Sequence, residues 1–531
     1  MRAIHAAVLM CTACAPSSVG GQTISVYVDS GVSVLDPHHA LTFAEHAGAG
    51  ILHRGLTQYD SEGRLIPGLA DTWSVDSSGT RYVFELASGL TWSDGRPLTA
   101  ADVVAGIHRA LDPARPAPFA RHLSGLANAD VYMNGTLPDG EELGVSAPDT
   151  RTVVFVLNDP DYTFPAILTL PVAMPAPAYN PDSIADGAVT SGSNVAVRDQ
   201  DENVILRTRS GDGRFAIRVA DSADAAWAKT DTDDHFVTAD MPIITVPAVG
   251  ARGDDIRQSG GQALYSYVVN TARPPLNTLE ARHALAMAIS RAALLDRVPV
   301  RDASPALEFV PPRGKTYETS YKTPYASLTE EEREAVAEAL LADAGYMQGH
   351  RFTVRLRVPS GDVHLRIAEA VADQWARARV STEIVVAPFP EHWRSVADGD
   401  FDVAFAVWPG PRDTPRTFLE PLSARGGPWN FGRYTFEGLD ERLTRAARSE
   451  KPNVQAQYYR EAEKVLIEDQ SLFALFYYRP LSLVSANVSG WRSNPSGMHP
   501  LGALSVKSMR SAPVLVRPDL PPAAPSLSPE N

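Results

Sequence analysis

Cysteine is nearly absent: the chain has two in 531 residues, Cys11 and Cys14, both at its N-terminal end. No internal disulfide can therefore staple the body of the protein. A single Cys-x-x-Cys without a second ligand pair does not make a zinc or redox centre. Basic charge is in deficit, with 48 Lys and Arg against 63 Asp and Glu and a net charge of -15. No basic stripe breaks this balance, which excludes a nucleic-acid partner and disfavours anionic membranes. Long apolar runs are missing as well. No segment offers the roughly 18 uninterrupted apolar residues that span a bilayer. Catalytic signatures are also lacking: no G-x-S-x-G, H-E-x-x-H, Walker or G-x-G-x-x-G pattern occurs. His38, His39 and His46 lie close in sequence, but adjacent histidines point apart on a strand or loop, so no metal is expected. The "DTDDH" run at 231–235 lacks the Gly and closing Glu of a calcium loop. The chain is read as a non-enzyme with no cofactor and no metal.

What is present is an ordinary globular composition, 44% hydrophobic and 21% charged. At roughly 100–200 residues per domain, this length accommodates two to four domains. Arg2 followed by the apolar run Ala6–Met10 reads as an export leader over residues 1–21. Thr12-Ala13-Cys14 resembles the end of a lipoprotein signal, with Cys11 where a Leu is usual, and makes Cys14 the candidate lipidation site. Residues 511–531 are too rich in Pro for helix or sheet and read as a disordered tail. Between these ends strands and helices mix. Alternation from Ile24 to Val28 and from Tyr82 to Leu86 predicts half-buried strands, and "RTVVFVLND" a more continuously apolar one. Thr99 with Asp102 caps a helix whose Val103, Ile107 and Leu111 share a face. Thr329 and Glu332 form a capping box ahead of a helix with Val336 and Leu340 on its inner face. Leu365, Ala368, Ala372, Trp375 and Arg379 form another stripe, and Leu285, Ile289 and Leu295 recur along "LEARHALAMAISRAALLDRV".

The segment from Gly55 to Pro113 carries an ordered set of residues: Pro67, Leu69, Ala70, Trp73, then Trp92, Ser93, Asp94, Gly95, Pro97, Thr99, Ala100 and Asp102. This order resembles the large extracytoplasmic solute-binding proteins of the oligopeptide, dipeptide and nickel importers (family 5). The likeness extends over roughly residues 24–507, through "SVLDPHHA", "YSYVVNTARPPLNTLEARHALAMAISR", "GDFDVAFAVW" and "YYREAEKVLIEDQSLFALFYYRPLSLVSANVSGW", and is nearest to oligopeptide binders. The resemblance implies an α/β, two-lobed periplasmic-binding-protein fold of the large type II-like kind, with an inserted domain and a two-stranded hinge. Lobe I would comprise 22–58, 178–261 and 480–510, the insert 59–177 and lobe II 262–479. It further implies a monomer, exported to the periplasm and tethered if Cys14 is lipidated. Such a protein captures a peptide or related small solute and hands it to ABC permease subunits in the inner membrane.

The same resemblance nominates ligand-contacting positions: Gly31, Val32 and Ser33 in the first loop, Trp408, Pro409 and Gly410 after "FDVAFAV", Tyr265, Tyr267, His364 and Trp393 around the cavity, and Asn430 nearby. Extended backbone would pair with the peptide while roomy wet pockets accept any side chain. Two departures stand out. Peptide-binding members carry Trp-x-x-Asp, whose carboxylate captures the peptide's α-ammonium, and here the third residue after Trp408 is Pro411. Asp413 could substitute if the loop shifts by two residues. A charge-assisted hydrogen bond of this type is worth about 1.5–3 kcal/mol, so its loss costs roughly tenfold to a hundredfold in affinity. In the second, Ser193-Asn194 replaces the usual aromatic after Gly192. A degenerate binder serving as sensor or docking scaffold in the cell envelope is the alternative these departures leave open.

Overall fold

The computed structural model describes residues 22–507 apart from 29–35, 41–42, 139, 178–187, 193, 199–203, 209–212, 220–224, 226–227, 230–234, 239–254, 299, 313–316, 318–320, 322, 324, 347–351, 408–413, 424–428, 437 and 498. Three sheets of four or more strands organise these residues. The first has five strands in the order Phe236–Thr238, Gln22–Val28, Gly213–Val219, Val204–Thr208 and Asn194–Arg198. Gln22–Val28 runs parallel to both of its neighbours. Its alternation predicts one wet face, yet Ser25 and Tyr27 are buried along with Ile24, Val26 and Val28. A strand held between parallel partners has both faces covered, and the polar residues go in with it.

The second sheet has six strands in the order Ser304–Pro305, Leu472–Tyr478, Ala263–Val269, Val403–Ala406, Thr353–Pro359 and Ser381–Ala387. Leu472–Tyr478, Ala263–Val269 and Val403–Ala406 are buried along their whole length. Helix Asp362–Arg377 connects the parallel pair Thr353–Pro359 and Ser381–Ala387 and packs on both, which makes a βαβ unit. The third sheet is four-stranded and antiparallel, in the order Ala70–Val75, Arg81–Leu86, Thr152–Val156 and Val145–Ser146. Helix Ala100–Ala110 packs on it, started as expected: the Asp102 carboxylate accepts from the Thr99 N–H at 2.7 Å and hydroxyl at 2.9 Å. Its Val103 and Ile107, with Leu111 just beyond its end, are buried on one face.

Three helix faces differ from expectation, each because the partner surface decides the stripe. The Thr329–Glu332 box forms, but Ala337 and Leu341 are buried while Val336 is exposed. Helix Asp362–Arg377 buries His364, Ile367, Ala368, Val371 and Trp375; Leu365 is exposed, and Arg379 lies past the helix with φ 63°. The run from Leu279 to Arg297 is two helices, Leu279–Ala288 and Arg291–Arg297, with Leu294 rather than Leu295 completing the buried set. The break at Ile289-Ser290 frees backbone groups that must find partners. The Gln374 amide accepts from Ser290 N–H at 2.8 Å and donates to its carbonyl at 3.2 Å. The buried Arg291 guanidinium donates to the carbonyls of Ala286 and Ile289 at 2.8 Å and of Ala306 and Ala474 at 3.1 and 3.0 Å.

The five- and six-stranded sheets define two lobes, and the chain crosses between them twice. It enters the second lobe through Ile256–Gln258 and leaves it through Leu481–Leu483, and these strands pair antiparallel with Ile256 opposite Leu483. Val484 N–H donates to Asp255 O at 2.7 Å and Ser259 N–H to Pro480 O at 2.9 Å. The first sheet keeps its own apolar core around Val26, Leu206, Ile217 and Val484. A larger apolar cluster runs through the four-stranded unit and the second lobe. No helix among the described residues is long and apolar enough to cross a membrane.

Candidate ligand cleft

In open α/β sheets, ligands bind outside the carboxyl ends of strands. Strand Gln22–Val28 precedes residues 31–33 in sequence in one lobe, and Val403–Ala406 precedes residues 408–413 in the other. Gly31, Val32, Ser33, Trp408, Pro409, Gly410 and Asp413 themselves lie outside the described residues, as do Pro411, Ser193 and Cys14.

The remaining candidates belong to the second lobe. Tyr265 and Tyr267 point the same way from the central strand Ala263–Val269, as residues two apart must. The Tyr265 hydroxyl lies 2.9 Å from His364 Nδ1. Its ring stacks on Phe476 at 4.8 Å and meets Phe405 at the same distance, and His364 is 4.8 Å from Phe405. Beyond Phe405 the ring series continues through His392, whose Nε2 donates to the Phe405 carbonyl at 3.0 Å, to Phe389. Trp393 stacks on Phe389 at 5.8 Å and meets Phe431 edge-on at 4.8 Å. Tyr265 and Tyr267 are 0% exposed and His364 and Trp393 7%, so in this lobe arrangement all four are wall rather than open surface. Asn430 is used locally: its amide accepts from Tyr434 N–H at 2.8 Å and donates to Tyr434 O at 2.9 Å, holding the turn between them.

The electrostatics of this wall are neutral. Burial, reinforced by the nearby His392, lowers the His364 pKa to about 3, and burial lowers that of His392 to about 4. Burial also pushes the Tyr265 hydroxyl far above its ordinary range. A neutral imidazole therefore shares a hydrogen bond with a neutral phenol. This pair can offer hydrogen bonds and ring faces, but no ion for a ligand carboxylate or ammonium.

Residues outside the predicted set, just past the first-loop positions, pair with the four-stranded unit. Asp36 is buried and paired with Arg109 of helix Ala100–Ala110, with His39 Nδ1 at 3.5 Å. Burial opposes its charge, but the His39 and Arg109 hydrogen bonds and the Arg109 charge outweigh that cost and hold the carboxyl well below the usual range. His38 Nε2 donates to Met174 O at 2.8 Å, which leaves Nδ1 to accept from Arg109 at 3.0 Å. Burial and the Arg109 charge lower its pKa to about 4, keeping that tautomer neutral. Asp36 and Arg109 are 73 positions apart, and no sequence spacing links them. Phe405 and Phe476 lie in family-like segments but had no site role assigned to them, and His392 lies in none. Among the described residues no group of three or more His, Cys, Asp or Glu is arranged to hold a metal.

Residues 64–430 match the family described as bacterial extracellular solute-binding proteins, family 5 middle. The chain is 28% identical over 487 residues to the probable deoxycholate-binding periplasmic protein YgiS of Escherichia coli K12, covering 83% of this chain and 85% of that protein. It is 25% identical over 512 residues to the periplasmic oligopeptide-binding protein OppA of the same organism, covering 92% of each. The structure of the Escherichia coli murein tripeptide binding protein MppA superposes with a TM-score of 0.81 at 23% identity, over 91% of this chain and 98% of that one. On a structure of MppA in its unliganded open form the TM-score is 0.62 at 24% identity, over 91% and 97% of the two chains. These superpositions establish the two-lobed fold.

Proposed function

The chain belongs to the bacterial extracellular solute-binding proteins of family 5, and from that premise we propose that it is the capture subunit of an ABC importer for peptides, of oligopeptide rather than dipeptide length. Members of this family bind and do not catalyse. The observation that carries the reading is a family match across residues 64–430 on a frame of two sheets joined by paired crossing strands. Closure of such a frame over a solute presents a shape that a permease in the inner membrane can read. In this reading the loops at 31–33 and 408–413 face the ligand from opposite lobes, with Tyr265, Tyr267, His364, Trp393 and Asn430 behind them. Lobe I is assigned 22–58, 178–261 and 480–510, the insert 59–177 and lobe II 262–479. The protein acts as a monomer in the periplasm, with a lipoprotein leader in residues 1–21 that is cut before Cys14, leaving Cys14 as its lipid anchor; intact mass of membrane-extracted protein tests the anchor. The scaffold alternative is not favoured, since the relatives above are named for the solutes they bind.

The ligand class turns on Pro411. With no carboxylate three residues after Trp408, an α-ammonium brought there lacks its ion partner, and the neutral Tyr265–His364 wall supplies none. The 28% identity to a relative named for deoxycholate favours a second reading, an amphipathic acid without a free amine. Mass spectrometry of the co-purifying solute decides between a peptide and such an acid. Calorimetry with tetra-alanine and N-acetyl-tetra-alanine, repeated on Pro411→Asp and Asp413→Ala, tests the amine. Little preference for the free amine is expected until Pro411→Asp restores it. A strong preference that survives Asp413→Ala places amine capture on another group.

A further inference from the structure

We propose that Arg416 and Arg448 of the second lobe, closing on Asp161 and Asp159 of the four-stranded unit, form a clasp that sets ligand affinity without contributing to ligand recognition. The inference rests on the reading of the chain as a two-lobed solute binder.

The four-stranded unit is fastened to the first lobe. Asp36 pairs with Arg109 and His38 with Met174 O. Ser93 N–H donates to Thr190 O at 2.9 Å, and Thr190 N–H returns a bond to Ser93 Oγ at 2.9 Å. In this proposal the unit travels with the first lobe, and the second lobe, whose apolar cluster it also meets, moves against both about the crossing strands.

Opposite faces of this moving pair meet in a seam. The Arg416 guanidinium grips Glu420 of its own segment with two bonds of 2.7 Å, reaches across to Thr163 Oγ1, and lies 3.8 Å from Asp161. Asp161 is fixed for this contact: one carboxylate oxygen accepts from Thr163 N–H at 2.8 Å and from its hydroxyl at 2.5 Å. Side chains of Arg416, Asp161 and Glu420 are 15%, 15% and 11% exposed, so the group is largely dry. Arg448 pairs with Asp159 further out, and Tyr162 N–H donates to Ala447 O at 3.0 Å across the same line. Beside them Trp429 packs on Phe119 at 4.4 Å and on His46 at 5.9 Å.

The donors and acceptors of this network bond one another across the seam. Their contribution exists only when the lobes are together. A contact of that kind shifts a two-state equilibrium, and the apparent affinity of a ligand scales with the closed fraction. Such a side chain holds the lobes together rather than touching the solute, and it acts on dissociation rather than encounter.

The test measures small-angle scattering of ligand-free protein and tetra-alanine binding for Asp161→Asn, Arg416→Gln, Arg448→Asp and the swap Asp159→Arg/Arg448→Asp. Asp161→Asn leaves the Arg416–Glu420 pair intact and keeps the proposal testable if Arg416→Gln fails to fold. Expected are a larger radius of gyration and about tenfold weaker binding for Asp161→Asn, carried by faster dissociation with unchanged association. Arg448→Asp is expected to lose affinity by a smaller factor that the swap restores. Unchanged scattering and unchanged affinity in a folded Asp161→Asn variant overturn the clasp. So does weaker binding with unchanged scattering, which makes Asp161 a ligand contact. If wild type binds neither tetra-alanine nor its N-acetyl form, the peptide reading fails while the scattering still decides the clasp.

Discussion

Two places where the lobes meet, the hinge and the seam, are built from different materials. At the hinge, Ile256–Gln258 and Leu481–Leu483 are held by backbone hydrogen bonds, extended by Val484 to Asp255 and Ser259 to Pro480. At the seam, all but one of the contacts described above are made by side chains: Arg416, Asp161, Glu420, Trp429 and Phe119. Backbone bonds tolerate most side-chain changes and yield only when an N–H is removed. Side-chain contacts are specified residue by residue and can be tuned one at a time. A hinge must persist in every state of the protein, whereas a seam forms in only one.

The largest effect is expected at the hinge. Val484→Pro removes the N–H that bonds Asp255 O in a buried position, at a cost of about 3 kcal/mol in urea unfolding. Val484→Ala removes only apolar volume and should cost less than that. Equal losses would show that the hinge, like the seam, is held by its side chains. Next comes Trp429→Ala at the seam, which deletes a buried ring against Phe119. A loss of about 2–3 kcal/mol is expected, read mainly in ligand affinity and less in the thermal midpoint. A drop in midpoint as large as the drop in affinity would make the seam part of a permanent core.

A third effect is set by pH. His46 lies against Phe119 and Trp429, and burial lowers its pKa to about 4; burial lowers His122 in the same direction. A histidine depressed in the closed state and ordinary in the open one is neutral in both at high pH. Stability of the closed state is then complete above the unperturbed value of about 6.5 and is lost as pH falls toward the closed-state value. Ligand affinity should weaken between pH 7 and pH 5, and His46→Phe should flatten that slope; an unchanged slope would remove His46 from the seam's energetics. The smallest effect is at Arg448. Its side chain is 43% exposed and that of Asp159 50%, so Arg448→Ala should cost at most about 1 kcal/mol and less in high salt. A larger, salt-insensitive loss would mean the pair is drier than its exposure indicates.

Much of the fold was legible because local rules and global packing agree. The Thr99–Asp102 and Thr329–Glu332 boxes form because capping involves only neighbours three residues apart. The helix faces were legible only to within one residue. Val336 and Ala337, or Leu365 and His364, are equivalent until a neighbouring surface selects one. Ser25 and Tyr27 look solvent-facing in an alternating strand, and parallel neighbours from residues 213–219 and 236–238 bury them. The candidate site was readable as motif, in the Trp408 frame and the first loop, and not as geometry. Phe405 and His392 join Tyr265 and His364 through contacts that span strands and helices distant in sequence.

By itself the amino-acid order determined the class of protein: a disulfide-free, acidic α/β chain with no catalytic signature, an ordered family motif at 67–102, and a proline three residues after Trp408. These are properties of composition and of short spacings, which survive without knowledge of contacts. Only the tertiary structure decided that Asp36 faces Arg109, that Tyr265 meets a neutral His364, and that Arg416 lies against Asp161, 255 residues away in sequence. Such pairs bring together groups that no period or spacing relates, and their energies arise from burial, which exists only once the lobes have packed.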